Sequence, residues 1–262
     1  ALREELSAAK DVLALKEHLI VGETGGRPSV TLSGANVYIQ SGSGSTDDGG
    51  ALTGLGNLVV GYAEFEKSKL RSGSHNIIFG TDQDWKSYGG LVGGAQNSVT
   101  SPYAVALGGT DNTAAAAGAA ILGGQGNVVV GAYGTVSGGI DGYAAGDHAA
   151  IAGGAANTAS GAAAVAAGGA SNTAGGDHAV TIGGYAQAAA GPRAAALGGS
   201  ENRASGEGAT VSGGRGNTAS GAHAVVSGGE GNEASGELSV ISGGTYEEVS
   251  ARYGYEHGTE VP

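Results

Sequence analysis

Two of the six histidines of this chain follow an aspartate: Asp147-His148 and Asp177-His178 repeat the acid–imidazole dyad that orients a general base. Such a base acts only beside a held nucleophile, and neither dyad has one fixed next to it, so hydrolysis is not expected. His148, His178 and His223 share one column of the repeat described below, two and three periods apart. That spacing is roughly 10 to 15 Å, too long for shared metal ligation within one chain. Gly229-Glu230-Gly231 has the glycine–acid alternation of calcium-binding solenoids. Those solenoids need a nine-residue period with aspartate in register, and here the register residue is asparagine. With no cysteine in 262 residues there is no thiolate ligand, disulfide or cysteine nucleophile. The expectation is a protein without catalytic residues, metal or cofactor.

Two further sets of side chains bear on binding. Thr158 with Ser160 and Thr218 with Ser220 put paired hydroxyls on one face at regular spacing, as an ice- or crystal-binding surface would. Tyr143, Arg203 and Glu233 interrupt that array, and a lattice-matched surface should not tolerate them. Tyr103, Tyr133, Tyr143 and Tyr185 are expected on the outside, where an aromatic ring can stack on a sugar, so a glycan remains a candidate partner.

The elements that position these residues follow from one periodicity. Eleven Gly-Gly pairs, from Gly93-Gly94 to Gly243-Gly244, recur every fifteen residues with the consensus G-G-x-x-N-x-A-S-G-x-x-A-V-V-S. A unit copied along more than half the chain implies a solenoid. One column holds Ala104, Ala119, Ala149, Ala164, Ala179, Ala194, Ala209 and Ala224, and the column two residues on holds Ile121, Val136, Ile151, Val211, Val226 and Ile241. Both are expected inward. The period of two in a strand then turns Val105, Val165, Val180, Val225 and Val240 outward as a stripe in need of a partner. A second short strand sends Ala114, Ala144, Ala159, Ala174, Ala189, Ala204, Ala219 and Ala234 inward. Two strands per coil joined by glycine corners make a flat two-sided roll, with the Gly-Gly pairs at one corner and Gly161, Gly176, Gly191, Gly206, Gly221 and Gly236 at the other. Asn97, Asn112, Asn127, Asn157, Asn172, Asn202, Asn217 and Asn232 stack at a turn, where the amide bridges coil to coil and tolerates the left-handed conformation.

Fifty-five glycines and 5% aromatic residues leave only a thin core, and 40% hydrophobic residues in strict columns argue against disorder. Two alanines and a valine per coil do not by themselves offset the ordering of fifteen residues, so burial of the valine stripe by packing three rolls is expected. A formal charge of −12 disfavours nucleic acid and anionic membrane surfaces, and no apolar run approaches the ~20 residues of a transmembrane helix. The chain starts at Ala1 with no methionine, and the expectation is an exported product from which a signal peptide has been removed.

Outside the regular part, Leu2, Leu6, Ala9, Leu13 and Ile20 fall at heptad-like spacing, which predicts a coiled-coil helix over 1–21. Residues 22–90 read as an irregular β capping region. It has alternating stretches Ser29 to Leu32 and Asn36 to Gln40, three related strands at Asn57–Gly61, Asn76–Gly80 and Leu91–Gly93, and insertions carrying Glu64, Phe65, Glu66, Lys67, Lys69, Arg71, Trp85 and Tyr88. Regular repeats cover 91–244. Residues 245–262, with Tyr246, Tyr253, Tyr255 and His257, are expected to cap the roll or contact a neighbour.

Ala149-Ala150-Ile151-Ala152-Gly153 with Thr158-Ala159-Ser160-Gly161, and Val225-Val226-Ser227-Gly228 with Glu233-Ala234-Ser235-Gly236, resemble the S-V-A-I-G … S-x-A-x-G head repeats of trimeric autotransporter adhesins of the YadA type. The resemblance covers about 91–244, more loosely from 57, although that family's usual period is fourteen and its coiled coil follows the roll. It implies a homotrimer of parallel β-rolls at a cell surface. Taken together, the expectation is an all-β, parallel β-roll homotrimer whose interface comprises Leu2, Leu6, Leu13, Val105, Val165, Val180, Val225 and Val240. Asn112, Asn127, Asn157, Asn172, Asn202, Asn217 and Asn232 form its turn ladder, and trimers join head to tail through their atypical ends. A phage-tail or injection-device fibre and a glycan- or ice-binding solenoid are the alternatives.

Overall fold

The structure, a computed structural model, describes residues 14–62, 64 and 70–258. The chain divides into two units, Ala1–Ile39 and Gln40–Pro262. In the first, β1 (Leu19–Thr24) and β2 (Arg27–Leu32) form an antiparallel hairpin, with Leu19 opposite Leu32 and Thr24 opposite Arg27. Gly25 and Gly26, both at positive φ, supply the two-residue turn whose twist matches the strands. Ile20 therefore lies on a strand, and the helix expected through residue 21 does not extend that far. The run from Leu19 to Leu32 is also a hairpin, not an irregular start of the repeat, because its Gly-Gly turn brings two branched strands together at once. Asn36–Gln40 forms no strand. The predicted coiled-coil positions Leu2, Leu6, Ala9 and Leu13 lie outside the described residues.

The second unit is a parallel β-solenoid with a fifteen-residue period. Its first face is a 14-stranded sheet running from β3 (Leu58–Val60) and β4 (Ile77–Phe79) to Tyr255–Glu256. The second face is a 12-stranded sheet from β5 (Asp84–Trp85) to Glu248–Val249. From β4 onward consecutive strands of the chain alternate between the faces, and each pairs in parallel with the strand one coil on, as Val225 does with Val240 and Glu233 with Glu248. The two-sided expectation misses a third ladder. Single bridges link Thr81, Ala95, Thr110, Gln125, Ile140 and Ala155, then Ala170, Tyr185, Ser200, Arg215, Glu230 and Thr245. One residue per coil is too short to show as a strand pattern in sequence.

Register also reinterprets the first Gly-Gly pair. Ile77 pairs with Leu91 and Leu91 with Val105, each fourteen residues on, whereas Val105 pairs with Ala120, fifteen on. Gly93 N donates to Ala106 O just as Leu107 N does to Ile121 O, so Gly93 occupies Leu107's place and its pairing with Gly94 only mimics the later pairs. The added residue of the fifteen-residue coil is the first glycine of each true pair.

Both inward columns are buried as expected: Ala104, Ala119, Ala149 and Ala224, Ile121, Val136 and Val226, and Ala114, Ala159 and Ala219 are essentially inaccessible. Trp85, expected on an insertion, instead fills the core position of β5 beside Val99. With Ile78 and Val92 it gives the first coils a bulkier core than the alanine-lined coils that follow. The roll also continues past Gly244 for one more coil, ending in Glu248–Val249 and Tyr255–Glu256 with Val249 in the alanine column.

Candidate interaction surfaces

The asparagine column is the internal spine of the roll. Asn112, Asn127, Asn157, Asn172, Asn202, Asn217 and Asn232 are all buried, and each works in three directions. Asn217 Nδ2 donates to Gly213 O in its own coil and to Gly229 O in the next, both at 2.9 Å, while its Oδ1 accepts from Asn232 N at 3.0 Å. Asn202 and Asn232 repeat the pattern. The left-handed residue is not the asparagine but the one before it: Gln96, Asp111, Ala156, Ser171 and Glu201 have positive φ, as do Asp141, Ala186 and Tyr246 where Gly142, Gln187 and Glu247 take the asparagine's place. That twist is what turns the amide inward. Gln187 stands in this column with neither side-chain polar atom bonded, whereas Gln83, at the equivalent position before Asn97, donates to Gly94 O and accepts from Asn97 N.

The two glycine corners work differently. At Gly221 a Cβ would meet Gly236 O at 2.0 Å, so this column is glycine because successive backbones touch. In the Gly-Gly pairs the second member combines positive φ with the same crowding: Gly214 has φ 83 and would place a Cβ 2.1 Å from Gly229 O. The first member, Gly213, faces open space.

The Asp–His dyads are turn supports. Asp147 Oδ1 accepts from Ala132 N at 2.9 Å and Asp177 Oδ1 from Ala162 N at 3.0 Å, one coil back in each case. His148, His178 and His223 sit at left-handed, exposed positions, and His148 stacks on Tyr133 with centroids 5.3 Å apart. The four tyrosines considered for sugar binding do not converge. Tyr103 and Tyr133 occupy that left-handed corner, Tyr143 is on the second face and Tyr185 on the third ladder.

A polar plug that the sequence reading did not single out is built on Asp48, a buried residue at φ 54. One carboxylate oxygen accepts from Ser41 and Ser43 hydroxyls, and the other from Thr53 N at 2.7 Å and Thr53 Oγ1 at 2.8 Å. These hydrogen bonds, the Ser41 hydroxyl first among them, hold its carboxyl far below the usual carboxylate range. His75 Nδ1 lies 2.9 Å from Thr46 O, and its Nε2 accepts from Ser41 N at 3.1 Å. The density of serine, aspartate and glycine at 41–50 was the available signal.

The two faces differ in charge. On the first face, Val105, Val165, Val180, Val225 and Val240 are outward and half-buried by their stacked neighbours, and the column two residues on carries Leu107, Leu122, Ile182 and Leu197, exposed by 39 to 53%. Between Leu91 and Ser242 these two outward columns contain apolar, serine, threonine and glycine residues and no charge. Over the same span the second face carries Arg203 and Glu233 outward along with its threonines, and Asp84, Lys86 and Glu248 lie on it just beyond that span. Among the described residues no group of three or more histidine, aspartate or glutamate side chains is placed to hold a metal, and no helix is long and apolar enough to cross a membrane. No protein-family model and no curated protein matches this sequence.

Proposed function

We propose that the chain is the non-enzymatic shaft or head of an exported, homotrimeric surface adhesin or extracellular fibre. In this reading three rolls pack through the first face. The supporting observation is the uncharged outward pair of columns along eleven coils of a chain whose net charge is −12. A solvated face has no reason to avoid charge, whereas a desolvated one does, since burying an unpaired ion is costly. The number three comes from the resemblance of the repeat to trimeric adhesin heads.

The ends bear on whether trimers join. The last coil places Glu247 where the asparagine ladder continues and Glu256 where Ile241 would be followed by another apolar residue. Carboxylates at a sheet edge keep it solvated and oppose pairing with another copy.

Light scattering coupled to size exclusion tests the assembly. A mass near 75 kDa, three times 24.9 kDa, is expected for the full chain, falling to one chain's mass in Val225→Asp. A monodisperse single-chain mass for the unaltered protein, or an unchanged trimer in the variant, overturns the interface.

A further inference from the structure

We propose that the corner between Glu201 and Tyr246 is a binding site for a neutral sugar. The left-handed column that precedes the asparagines reads Glu201, Gly216, Gly231 and Tyr246 over four successive coils, all at positive φ. Earlier coils fill this column mostly with side chains, among them Gln96, Asp111 and Ser171. Here two adjacent glycines contribute no side chain; Gly231 is covered by the Tyr246 ring, and Gly216 has nothing within 4 Å of where a Cβ would stand. The result is a surface groove of about 250 Å³ running along the roll axis, walled at its ends by Glu201 and Tyr246 and at its side by Arg215 and Glu230. Because the Tyr246 ring lies back over Gly231, about two coil steps, or roughly 10 Å, separate it from Glu201, enough for one pyranose ring.

The walls supply the two kinds of contact that a sugar needs. Tyr246 lies over Gly231, where a Cβ would come within 2.6 Å of the ring, yet remains 75% exposed, so it offers a fixed aromatic surface to an apolar C–H face. Arg215 lies 3.8 Å from Glu201 and 3.7 Å from Glu230. Those are ion-pair distances, longer than hydrogen bonds, so the carboxylates orient the guanidinium without using up its donors or their own acceptors. Vicinal hydroxyls can then accept from Arg215 and donate to Glu201 or Glu230 at once. Two carboxylates against one guanidinium disfavour an anionic sugar. The ring rests on the glycine beneath it, whereas the Arg215, Glu201 and Glu230 side chains are more than half exposed and are ordered by the sugar on binding. The groove uses no residue of the first face's outward columns, so Val225→Asp leaves its lining unaltered.

The test applies the full-length chain to an array of neutral and acidic oligosaccharides, and then titrates the retained sugars by calorimetry against Tyr246→Ala and Gly216→Gln. The second variant fills the floor with a residue that Gln96 shows to be compatible with this left-handed position, so folding is preserved. Retention of neutral sugars, weakened about ten-fold or more in both variants with mass and melting temperature unchanged, is expected. Retention of no sugar, of acidic sugars only, or of neutral sugars bound equally by the variants overturns the site. Val225→Asp, which acts on the trimer interface alone, should bind the same sugars, so failure of the assembly and failure of the groove are read separately.

Discussion

At the scale of single residues, the roll contains two departures from its own consensus whose cost can be read directly. Thr181 occupies the core column between Ala166 and Ala196, fully buried, with its hydroxyl unbonded. Thr181→Val keeps the shape and removes a stranded polar group, and should stabilise by about 1–2 kcal/mol in denaturant unfolding. Gln187 strands an amide in the asparagine column; Gln187→Asn should reach Gly183 and Gly199 as Asn202 reaches Gly198 and Gly214, and gain a similar amount. No gain from Gln187→Asn would mean that the ladder geometry is not transferable between coils. Asp48 adds a pH dependence. Its folded pKa lies below the unfolded value, so its stabilising effect is full above about pH 4 and disappears as pH falls further. Asp48→Asn, which tolerates the same positive φ, should flatten the acid limb of a stability profile, and an unchanged profile would assign that limb to other carboxylates.

At the scale of the coil, the Gly-Gly pair is the element that distinguishes fifteen residues from fourteen. Its two members should answer substitution in opposite ways. Gly213→Ala adds a methyl into open space at an ordinary φ and should be neutral or stabilise by up to about 1 kcal/mol through the unfolded chain. Gly214→Ala must combine a left-handed alanine with a collision against Gly229 O, and should lower the melting temperature markedly. Equal effects at the two positions would contradict this division of the corner. The spacing of the pairs was legible from sequence, but their inequivalence was not, because it depends on how close the next coil lies.

At the scale of the whole chain, polarity is distributed by face and by end. The second unit keeps charge off one face and places carboxylates at its last coil. If Glu247 and Glu256 keep the terminal edge open to water, the double substitution Glu247→Asn with Glu256→Ile restores the consensus there and should drive concentration-dependent end-to-end growth. Electron micrographs would show rods lengthening with protein concentration. Separate rods of constant length in the double variant would mean that these carboxylates are not what limits stacking.

The sequence by itself determined the solenoid, its period, the inward alanine and branched columns and the bridging asparagines. Each of these is a local pattern multiplied by repetition, and a strand's period of two assigns sides without further information. Tertiary structure decided what depends on contact between coils. It showed that the residue before each asparagine takes the left-handed turn, that Trp85 belongs to the core, and that a third ladder closes each coil. It also made neighbours of Glu201, Gly216, Gly231 and Tyr246. These four are fifteen residues apart in the chain and share no local motif. Stacking reduces each fifteen-residue interval to a single inter-strand step, and only that step brings the aromatic ring, the ion row and the bare floor within reach of one ligand.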